Sequence, residues 1–408
     1  MMNLLYIDPG TGSMLFTVLI GVLGTCIYLL RGAWVKLRFL LTGGKTEKSG
    51  GQDRIGCAIF AESKRYWNLF EPICDEFERR EEKLLYLTAS PDDPALQKSY
   101  SHVTCNFIGE GNRAFARLNF LKADVLLATT PGLDVYQWKR SKDVKWYVHL
   151  PHASSDITLY RMFGLDAYDA VLLSGAYQIH QIQELDRLRG LPEKETRLVG
   201  MPYLDTLKSR LEEEAPSGTR ETTVLLAPSW GESGILSRFG QEILRSLVAT
   251  GYHLIIRPHP QSFTSEKDLI ASLMSQFPES EKLEWNRDND NFQALSRSHI
   301  LISDFSGVIF DYALVFERPV IYTDTSFNKA PYDASWLEEE LWTFTTLPKL
   351  GKKLSPEMFQ DMKGLIDEML CDSQYRNAIQ AARDETWVNR GGSAAAVADY
   401  MLEKQKEL

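Results

Sequence analysis

The segment Ser303–Tyr312, SDFSGVIFDY, decides the fold that we predict for this chain. It follows the apolar run His299–Ile302 and leads through a second apolar stretch to Arg318–Tyr322. This order predicts a strand, a tight polar loop, a helix and a further strand. Small hydroxyl and acidic residues gather where the helix begins, and the unpaired N–H groups and dipole of a helix favour an anion there. The loop therefore predicts a phosphate, and hence a nucleotide-linked donor, although ordinary helix capping explains it equally well.

The rest of the chain, from Arg54 onward, alternates short apolar strands with helices. The predicted strands are Ile55–Phe60, Lys83–Thr88, Ala123–Ala128, Trp146–Leu150, Ala170–Leu173, Thr223–Ala227 and His253–Ile256, and the predicted helices are Lys64–Arg80, Gln178–Leu188, Phe239–Thr250, Glu266–Phe277 and Gly392–Glu407. This alternation is typical of parallel, doubly wound sheets. We predict an α/β protein with two Rossmann-like domains of the GT-B type, in which ligands bind beyond the carboxyl ends of the strands.

An acidic stretch followed by Pro and Gly, Ser209–Glu221, separates the two predicted halves. We assign residues 54–210 to an N-terminal Rossmann-like acceptor domain and residues 221–390 to a C-terminal Rossmann-like nucleotide-donor domain. Residues 391–408 form a C-terminal helix, and residues 1–53 form a membrane anchor and a linker.

The N-terminal segment Pro9–Leu30 contains no charged residue and is about long enough to span a bilayer. Basic residues such as Arg31, Lys36 and Arg38 follow it, so the positive-inside rule places the long C-terminal body in the cytoplasm. A cleaved signal peptide is the competing interpretation, but no basic segment precedes the apolar run. A buried globular helix is the third. We expect a single-pass protein of the cell membrane with a cytoplasmic catalytic body.

Composition excludes some classes of protein. The 45 Lys and Arg residues are outnumbered by 55 Asp and Glu residues, and the resulting net charge of −10 argues against a nucleic-acid binder. The five cysteines are scattered without a Cys-x-x-Cys pair, which argues against a disulfide framework or a zinc knuckle. The acidic pairs Asp92-Asp93 and Asp288-Asn289-Asp290 lie in polar loops typical of solvated turns. We therefore assign no metal ligand and expect no cofactor.

The loop Arg257-Pro258-His259-Pro260 follows the strand His253–Ile256. The two prolines prevent the strand from continuing and present Arg257 and His259 at its carboxyl end. Arginine suits a bidentate phosphate contact, and histidine can donate a hydrogen bond or a proton. The alternative is a surface turn with a helix-capping arginine.

Two further residues of the second half are candidates for contact with a donor. Ser229 ends the strand Thr223–Ala227, where it could contact a phosphate or cap a turn. Asp311 lies about one turn into the helix that follows Ser303–Gly307, where it could bond a ribose hydroxyl or face solvent.

Two histidines lie near the end of a strand in the first half. His149 falls within the predicted strand Trp146–Leu150, and we assign it to the core. His152 falls in the following loop and is the better candidate for a general base that accepts a hydroxyl proton.

These motifs resemble those of the CDP-glycerol glycerophosphotransferases, the teichoic-acid-type polymerases and primases. The resemblance covers roughly His149–Gly392 and rests on His152, Ala227–Trp230, Arg257–Pro260, Ser303–Tyr312 and Arg318–Ile321. It implies transfer of glycerol phosphate from CDP-glycerol to a hydroxyl of a membrane-linked, lipid-linked acceptor, with release of CMP, in cell-wall or surface polymer synthesis. His152 would be the base, and the donor would contact Arg257, His259, Ser303, Asp304, Ser306, Gly307, Ser229 and Asp311.

The chain departs from the family where His152-Ala153 replaces the usual His-Gly. The phosphate loop is also similar to that of the UDP-N-acetylglucosamine 2-epimerases. Three alternatives therefore stay open: a GT-B glycosyltransferase that uses a nucleotide sugar, an epimerase-like enzyme, and a catalytically inactive membrane-anchored binding protein.

Overall fold

The computed structural model describes residues 54–214, 221–288, 290–323 and 327–408. Two sheets, each of parallel strands only, organise these residues. The first sheet has the order β3-β2-β1-β4-β5-β6-β7. Its strands are β1 (Ile55–Ala61), β2 (Leu84–Thr88), β3 (Val103–Phe107), β4 (Ala123–Ala128), β5 (Val144–His149), β6 (Ala170–Leu173) and β7 (Glu195–Leu198).

The second sheet has the order β10-β9-β8-β11-β12-β13. Its strands are β8 (Thr223–Leu226), β9 (His253–Ile256), β10 (Leu283–Trp285), β11 (Ile300–Ser303), β12 (Val320–Thr323) and β13 (Gly351–Leu354). In both sheets the strand order reverses beside the first strand. Ligands of doubly wound sheets bind in the crevice at this reversal.

Helices connect the strands and cover both sheets. They are α1 (Trp67–Arg79), α2 (Asn112–Leu118), α3 (Tyr177–Arg189), α4 (Pro202–Glu213), α5 (Ile235–Ala249), α6 (Ser262–Ser265), α7 (Lys267–Gln276), α8 (Phe292–Arg297), α9 (Val308–Phe316), α10 (Trp342–Leu350), α11 (Met362–Cys371), α12 (Tyr375–Thr386) and α13 (Ser393–Glu407). Short 3-10 turns span Lys64–Tyr66, Pro94–Gln97, Ile157–Leu159, Asp333–Trp336 and Pro356–Asp361.

The predicted strands at the centres of the two sheets are confirmed. Their ends differ from the predicted ends by up to a few residues. The predicted helix Lys64–Arg80 begins as the 3-10 turn Lys64–Tyr66, because Ser63 caps that turn by accepting the N–H of Arg65. The sequence did not reveal the strands β3, β7, β10 and β13. All four lie at sheet edges and are only partly buried, so they lack the apolar signature of the central strands.

The two sheets are joined by helices that share one core. Helix α4 packs against α9, and the buried residues Leu204, Leu207, Ile309 and Tyr312 belong to the same hydrophobic cluster. Within the predicted boundary segment Ser209–Glu221, residues Ser209 to Glu213 continue the helix α4. Residues 215–220 lie outside the described residues.

The C-terminal helix α13 returns to the first half of the molecule, where it packs against α1, β1 and β4. Asp205 fixes this return. Its carboxylate accepts the indole N–H of Trp387 at 2.8 Å and the backbone N–H groups of Gly391 and Ser393, both at 2.9 Å. The last helix is therefore a structural part of the first half.

In the ranges that the structure describes, no helix is long and apolar enough to cross a bilayer. The predicted anchor and linker at residues 1–53 lie outside the described residues.

Candidate active site

A cavity of about 520 Å³ lies where the carboxyl ends of the two sheets face each other. Its volume is in the range of small-molecule sites. Both halves contribute to its wall. The first half supplies Arg65, Tyr66, Asn68, Leu69, His152, Ala153 and Tyr203, and the second half supplies Ala227, Pro228, Trp230, Arg257–Gln261, Asn291, Ser306, Gly307, Val308 and Asp311.

The N-terminus of helix α9 forms one side of the cavity, with Ser306, Gly307 and Val308 in its wall. The N–H groups of Ile309 and Phe310 already donate to the carbonyls of Ser306 and Gly307. The N–H groups of Gly307 and Val308, at the very start of the helix, are therefore those available to an anion. Ser306 and Gly307, two of the residues predicted to contact the donor, lie in the cavity wall.

Arg257 stands beside this helix N-terminus. Its guanidinium donates a hydrogen bond to the side-chain oxygen of Asn286, which fixes its orientation. No carboxylate forms an ion pair with Arg257 in the described part of the chain. Burial lowers its pKa, and Asp288 and Asp290 act in the opposite direction from a greater distance. The positive charge of Arg257 is therefore available to an anion in the cavity.

His259 is held as a hydrogen-bond donor. The backbone N–H of Gln261 donates to its Nδ1 at 3.1 Å, so the neutral ring carries its proton on Nε2. Burial lowers its pKa to about 4, and the positive charge of Arg65 adds to this shift. At neutral pH the ring is uncharged and can donate its Nε2–H to a phosphate oxygen.

Ser303 and Asp304 do not line the cavity, which corrects the prediction that they contact the donor directly. Both are fully buried. The Ser303 hydroxyl donates to the carbonyl of Ala227 at 2.6 Å and so holds the loop after β8 to the end of β11. Its hydroxyl is therefore bonded to the backbone and is not exposed to the cavity.

Asp304 ties three loop segments together. Its carboxylate accepts the backbone N–H groups of Ser229 at 2.9 Å, Ile235 at 3.0 Å, Phe305 at 2.8 Å and Ser306 at 3.2 Å. Burial raises its pKa, although these donors oppose the shift. Asp304 therefore holds the loop that follows β11 in place without lining the cavity.

Ser229 is also committed to this network, because both its N–H and its hydroxyl bond to Asp304. Its neighbours Pro228 and Trp230 line the cavity, whereas Ser229 does not. The predicted phosphate contact of Ser229 is replaced by a role in holding the loop.

Asp311 lines the cavity and does not face solvent, since only 9% of its surface is exposed. Burial raises its pKa to about 7, and a hydrogen bond from Asn291 opposes the shift. Asn291 also accepts the hydroxyl of Tyr203 at 2.7 Å. These three polar side chains form a second polar corner of the cavity, suited to sugar hydroxyls.

His152 belongs to the first half and lines the same cavity as Arg257 and His259. Its Nδ1 lies 3.1 Å from the hydroxyl oxygen of Thr129, and its ring packs against Tyr66 and Tyr160. Burial, the charge of Arg65 and the proximity of His259 lower its pKa to about 4. The ring is therefore neutral at pH 7. If Nδ1–H donates to Thr129, the lone pair of Nε2 is available to accept a proton.

His149 is buried in β5, as predicted, and its Nε2 lies 3.0 Å from the hydroxyl oxygen of Tyr160. The same Tyr160 hydroxyl accepts the backbone N–H of His152. His149 thus supports the loop that carries His152 and has no place in the cavity wall.

Ala153, at the position where the resemblance leads us to expect glycine, is accommodated across the cleft. Ala153 faces Gly307, and a Cβ built on Gly307 would lie 3.3 Å from the Ala153 Cβ. The Cβ of Ala153 therefore fits at this close contact because Gly307, the residue that faces it, has no Cβ.

The sequence did not reveal several cavity residues, above all Arg65, Tyr203 and Trp230. Arg65 lies at the junction of β1 and α1, beside the reversal of strand order in the first sheet. That position was the one signal that could have identified it.

The prediction of solvated turns is confirmed for Asp92 and Asp288, which are exposed, and is wrong for Asp93. Asp93 is fully buried and accepts the hydroxyl of Thr88 at 2.6 Å. In the part of the chain that the structure describes, no three His, Cys, Asp or Glu side chains are grouped so as to hold a metal ion.

Comparison with solved structures shows a GT-B-like fold. The wall teichoic acid polymerase TagF is 16% identical, with a TM-score of 0.59 over 93% of this chain and 98% of that chain. The S. aureus MnaA-UDP co-structure is 10% identical, with a TM-score of 0.60 over 87% of this chain and 98% of that chain. UDP-GlcNAc 2-epimerase from Methanocaldococcus jannaschii is 12% identical, with a TM-score of 0.52 over 86% of this chain and 100% of that chain.

A search of curated proteins found no match to this sequence. The sequence model of one family does match, over residues 164–334. That family is described as CDP-Glycerol:Poly(glycerophosphate) glycerophosphotransferase. The matched segment includes the Arg257 loop, the Ser303–Tyr312 segment and helix α9. The resemblance of this chain to the glycerophosphotransferase family is thereby confirmed.

Proposed function

We propose that this protein transfers glycerol phosphate from CDP-glycerol to a hydroxyl group of a membrane-linked acceptor, as a step in the synthesis of a cell-wall or surface polymer. The family match supports a glycerophosphotransferase activity. The observation that carries the proposal is the cavity itself. A neutral histidine, His152, faces an anion site built from Arg257, His259 and the N-terminus of α9.

The reaction is an in-line displacement at phosphorus. The acceptor oxygen forms a bond to the phosphorus that carries glycerol, and the bond from that phosphorus to the bridging oxygen breaks. CMP leaves with the electron pair of that bond, and the hydroxyl proton passes to Nε2 of His152. Such transfers depend mainly on positioning and charge stabilisation.

Each donor contact has a physical role in this scheme. Arg257 and the N–H groups at the start of α9 offset the negative charge of the pyrophosphate. His259 donates Nε2–H, and Ser306 lines the same wall. Asp311, with Asn291 and Tyr203, offers hydrogen bonds to the ribose hydroxyls.

We further propose that residues 1–53 anchor the enzyme in the cell membrane and that its catalytic body lies in the cytoplasm. This arrangement suits a soluble nucleotide donor and a lipid-linked acceptor. The apolar segment Pro9–Leu30 and the basic residues after it support the orientation.

Release of CMP tests the proposal. Purified full-length protein is incubated with CDP-glycerol or with UDP-GlcNAc, in the presence of lipid-linked acceptors that end in a glycerol phosphate hydroxyl. We expect CMP release and acceptor elongation with CDP-glycerol alone. Turnover of UDP-GlcNAc without turnover of CDP-glycerol would favour a glycosyltransferase or an epimerase, and inactivity with both donors would favour a binding protein.

His152→Ala separates chemistry from binding. We expect this variant to bind CDP-glycerol as tightly as the unmodified protein and to lose about 100- to 10,000-fold in turnover, the usual contribution of a general base. His180→Gln, at an exposed histidine that does not line the cavity, is the matched control and should keep full turnover. Retained turnover in His152→Ala would remove His152 as the base.

A further inference from the structure

Arg65 enters the cavity from the half of the molecule opposite to Arg257. It lies in the 3-10 turn Lys64–Tyr66, at the carboxyl end of β1 and immediately before α1. The Ser63 hydroxyl oxygen accepts both the backbone N–H of Arg65 at 3.4 Å and its Nε–H at 3.3 Å. This turn directs the guanidinium toward the cavity that His152 and His259 also line.

The guanidinium of Arg65 takes part in no ion pair among the described residues, although its charge acts on Glu62, a carboxyl group whose pKa is raised by burial and lowered by Arg65. Within residues 54–214, 221–288, 290–323 and 327–408, no Asp or Glu forms an ion pair with it, whereas the adjacent Lys64 pairs with Asp92. Arg65 is exposed to the open cavity. An arginine that lines a cavity without a close ion pair is suited to bind an anionic ligand there.

The electrostatic influence of Arg65 reaches both walls of the cavity. Its positive charge contributes to the lowered pKa of His152 in the first half and to that of His259 in the second half. A single side chain is thus close to the candidate base and to the phosphate wall. An anion placed between these two histidines would lie within reach of the same charge.

We propose that Arg65 is a donor-phosphate ligand supplied by the first half, which completes the anion site across the cleft from Arg257. This inference rests on the proposed function, because it assigns a residue to the same donor. The pyrophosphate of CDP-glycerol carries two negative charges. Arg257 and the start of α9 bind it from the second half, and Arg65 binds it from the side on which the acceptor enters.

This placement has a consequence for the transfer step. As the bond to the bridging oxygen breaks, negative charge grows on the phosphate of the departing CMP, and a facing guanidinium stabilises that charge. Because Arg65 and Arg257 belong to different halves, a bound pyrophosphate links the two halves. Free cytidine, which has no phosphate, makes neither contact.

The test compares Arg65→Gln, Arg65→Lys and the neighbouring control Lys64→Gln in full-length protein. CDP-glycerol and cytidine are titrated calorimetrically, and CMP release is measured for each protein. We expect Arg65→Gln to weaken CDP-glycerol binding by about 10- to 100-fold, the size of a charge-assisted hydrogen bond. Cytidine binding should not change, Arg65→Lys should recover part of the loss, and Lys64→Gln should behave as the unmodified protein.

Equal CDP-glycerol affinity and equal CMP release in Arg65→Gln and the unmodified protein would overturn the inference. A loss of cytidine binding in the same variant would also overturn it, because the defect would then not concern phosphate. If the unmodified protein binds no CDP-glycerol, the proposed function fails. In that case inorganic pyrophosphate is titrated into the unmodified protein and into Arg65→Gln. Weaker pyrophosphate binding by the variant would support the role of Arg65, and equal binding would contradict it.

Discussion

Replacement of Asp304 by alanine should destabilise the protein strongly, because this buried carboxylate holds the phosphate loop together. It accepts the backbone N–H groups of Ser229, Ile235, Phe305 and Ser306. Alanine leaves all of these donors without their acceptor. A buried donor that loses its partner costs about 1–3 kcal/mol. Ile235 is fully buried, whereas Ser229, Phe305 and Ser306 are partly exposed, so water can replace their lost acceptor.

We therefore expect Asp304→Ala to lower the free energy of unfolding by about 3–5 kcal/mol, the scale measured for the loss of one partner of a buried polar network. Asp304→Asn keeps one acceptor oxygen but places an NH₂ group against N–H donors, so we expect a loss of about 2 kcal/mol. For a protein of ordinary stability, about 5–15 kcal/mol, either loss is readily measured. Equilibrium unfolding in urea provides the measurement.

Ser306→Ala is the matched control, since Ser306 lines the cavity whereas Asp304 lies behind it. We expect this variant to unfold at the same urea concentration as the unmodified protein and to bind CDP-glycerol more weakly. Our reasoning would be refuted if Asp304→Ala kept its full stability and lost only donor binding. That outcome would show that Asp304 contacts the donor directly.

Three further predictions concern the donor, the base and the packing of the last helix. Arg257→Ala should weaken CDP-glycerol binding by about 10- to 100-fold in calorimetric titration, because a charged phosphate contact is lost; unchanged affinity would exclude Arg257 from the phosphate site. The pKa of His152 is lowered to about 4, and protonation removes its ability to accept a proton, so kcat/KM should fall as pH decreases through about 4. An acidic limb near 6.5 would contradict this assignment. Asp205→Ala should cost about 2–3 kcal/mol and speed hydrogen exchange in α13, because three N–H donors lose their acceptor; unchanged exchange would show that packing alone holds the helix.

The sequence by itself determined the class of fold and the loops that carry the chemistry. Central strands such as β8 and β11 are buried on both faces, so they appear in the sequence as short apolar runs. The polar residues that end such strands must gather at one edge of a parallel sheet. For that reason the sequence predicted the Arg257 loop, the start of α9 and His152 as parts of one site.

Tertiary structure alone decided which side chains of those loops face the cavity. Ser303, Asp304 and Ser229 have the residue types of a phosphate site, yet the path of the backbone turns them inward, where each bonds to a neighbouring loop. Arg65 belongs to a segment with no phosphate motif, and it reaches the site because β1 ends opposite the second sheet. Local sequence specifies which elements form, whereas the direction of a loop side chain depends on contacts with residues distant in the chain.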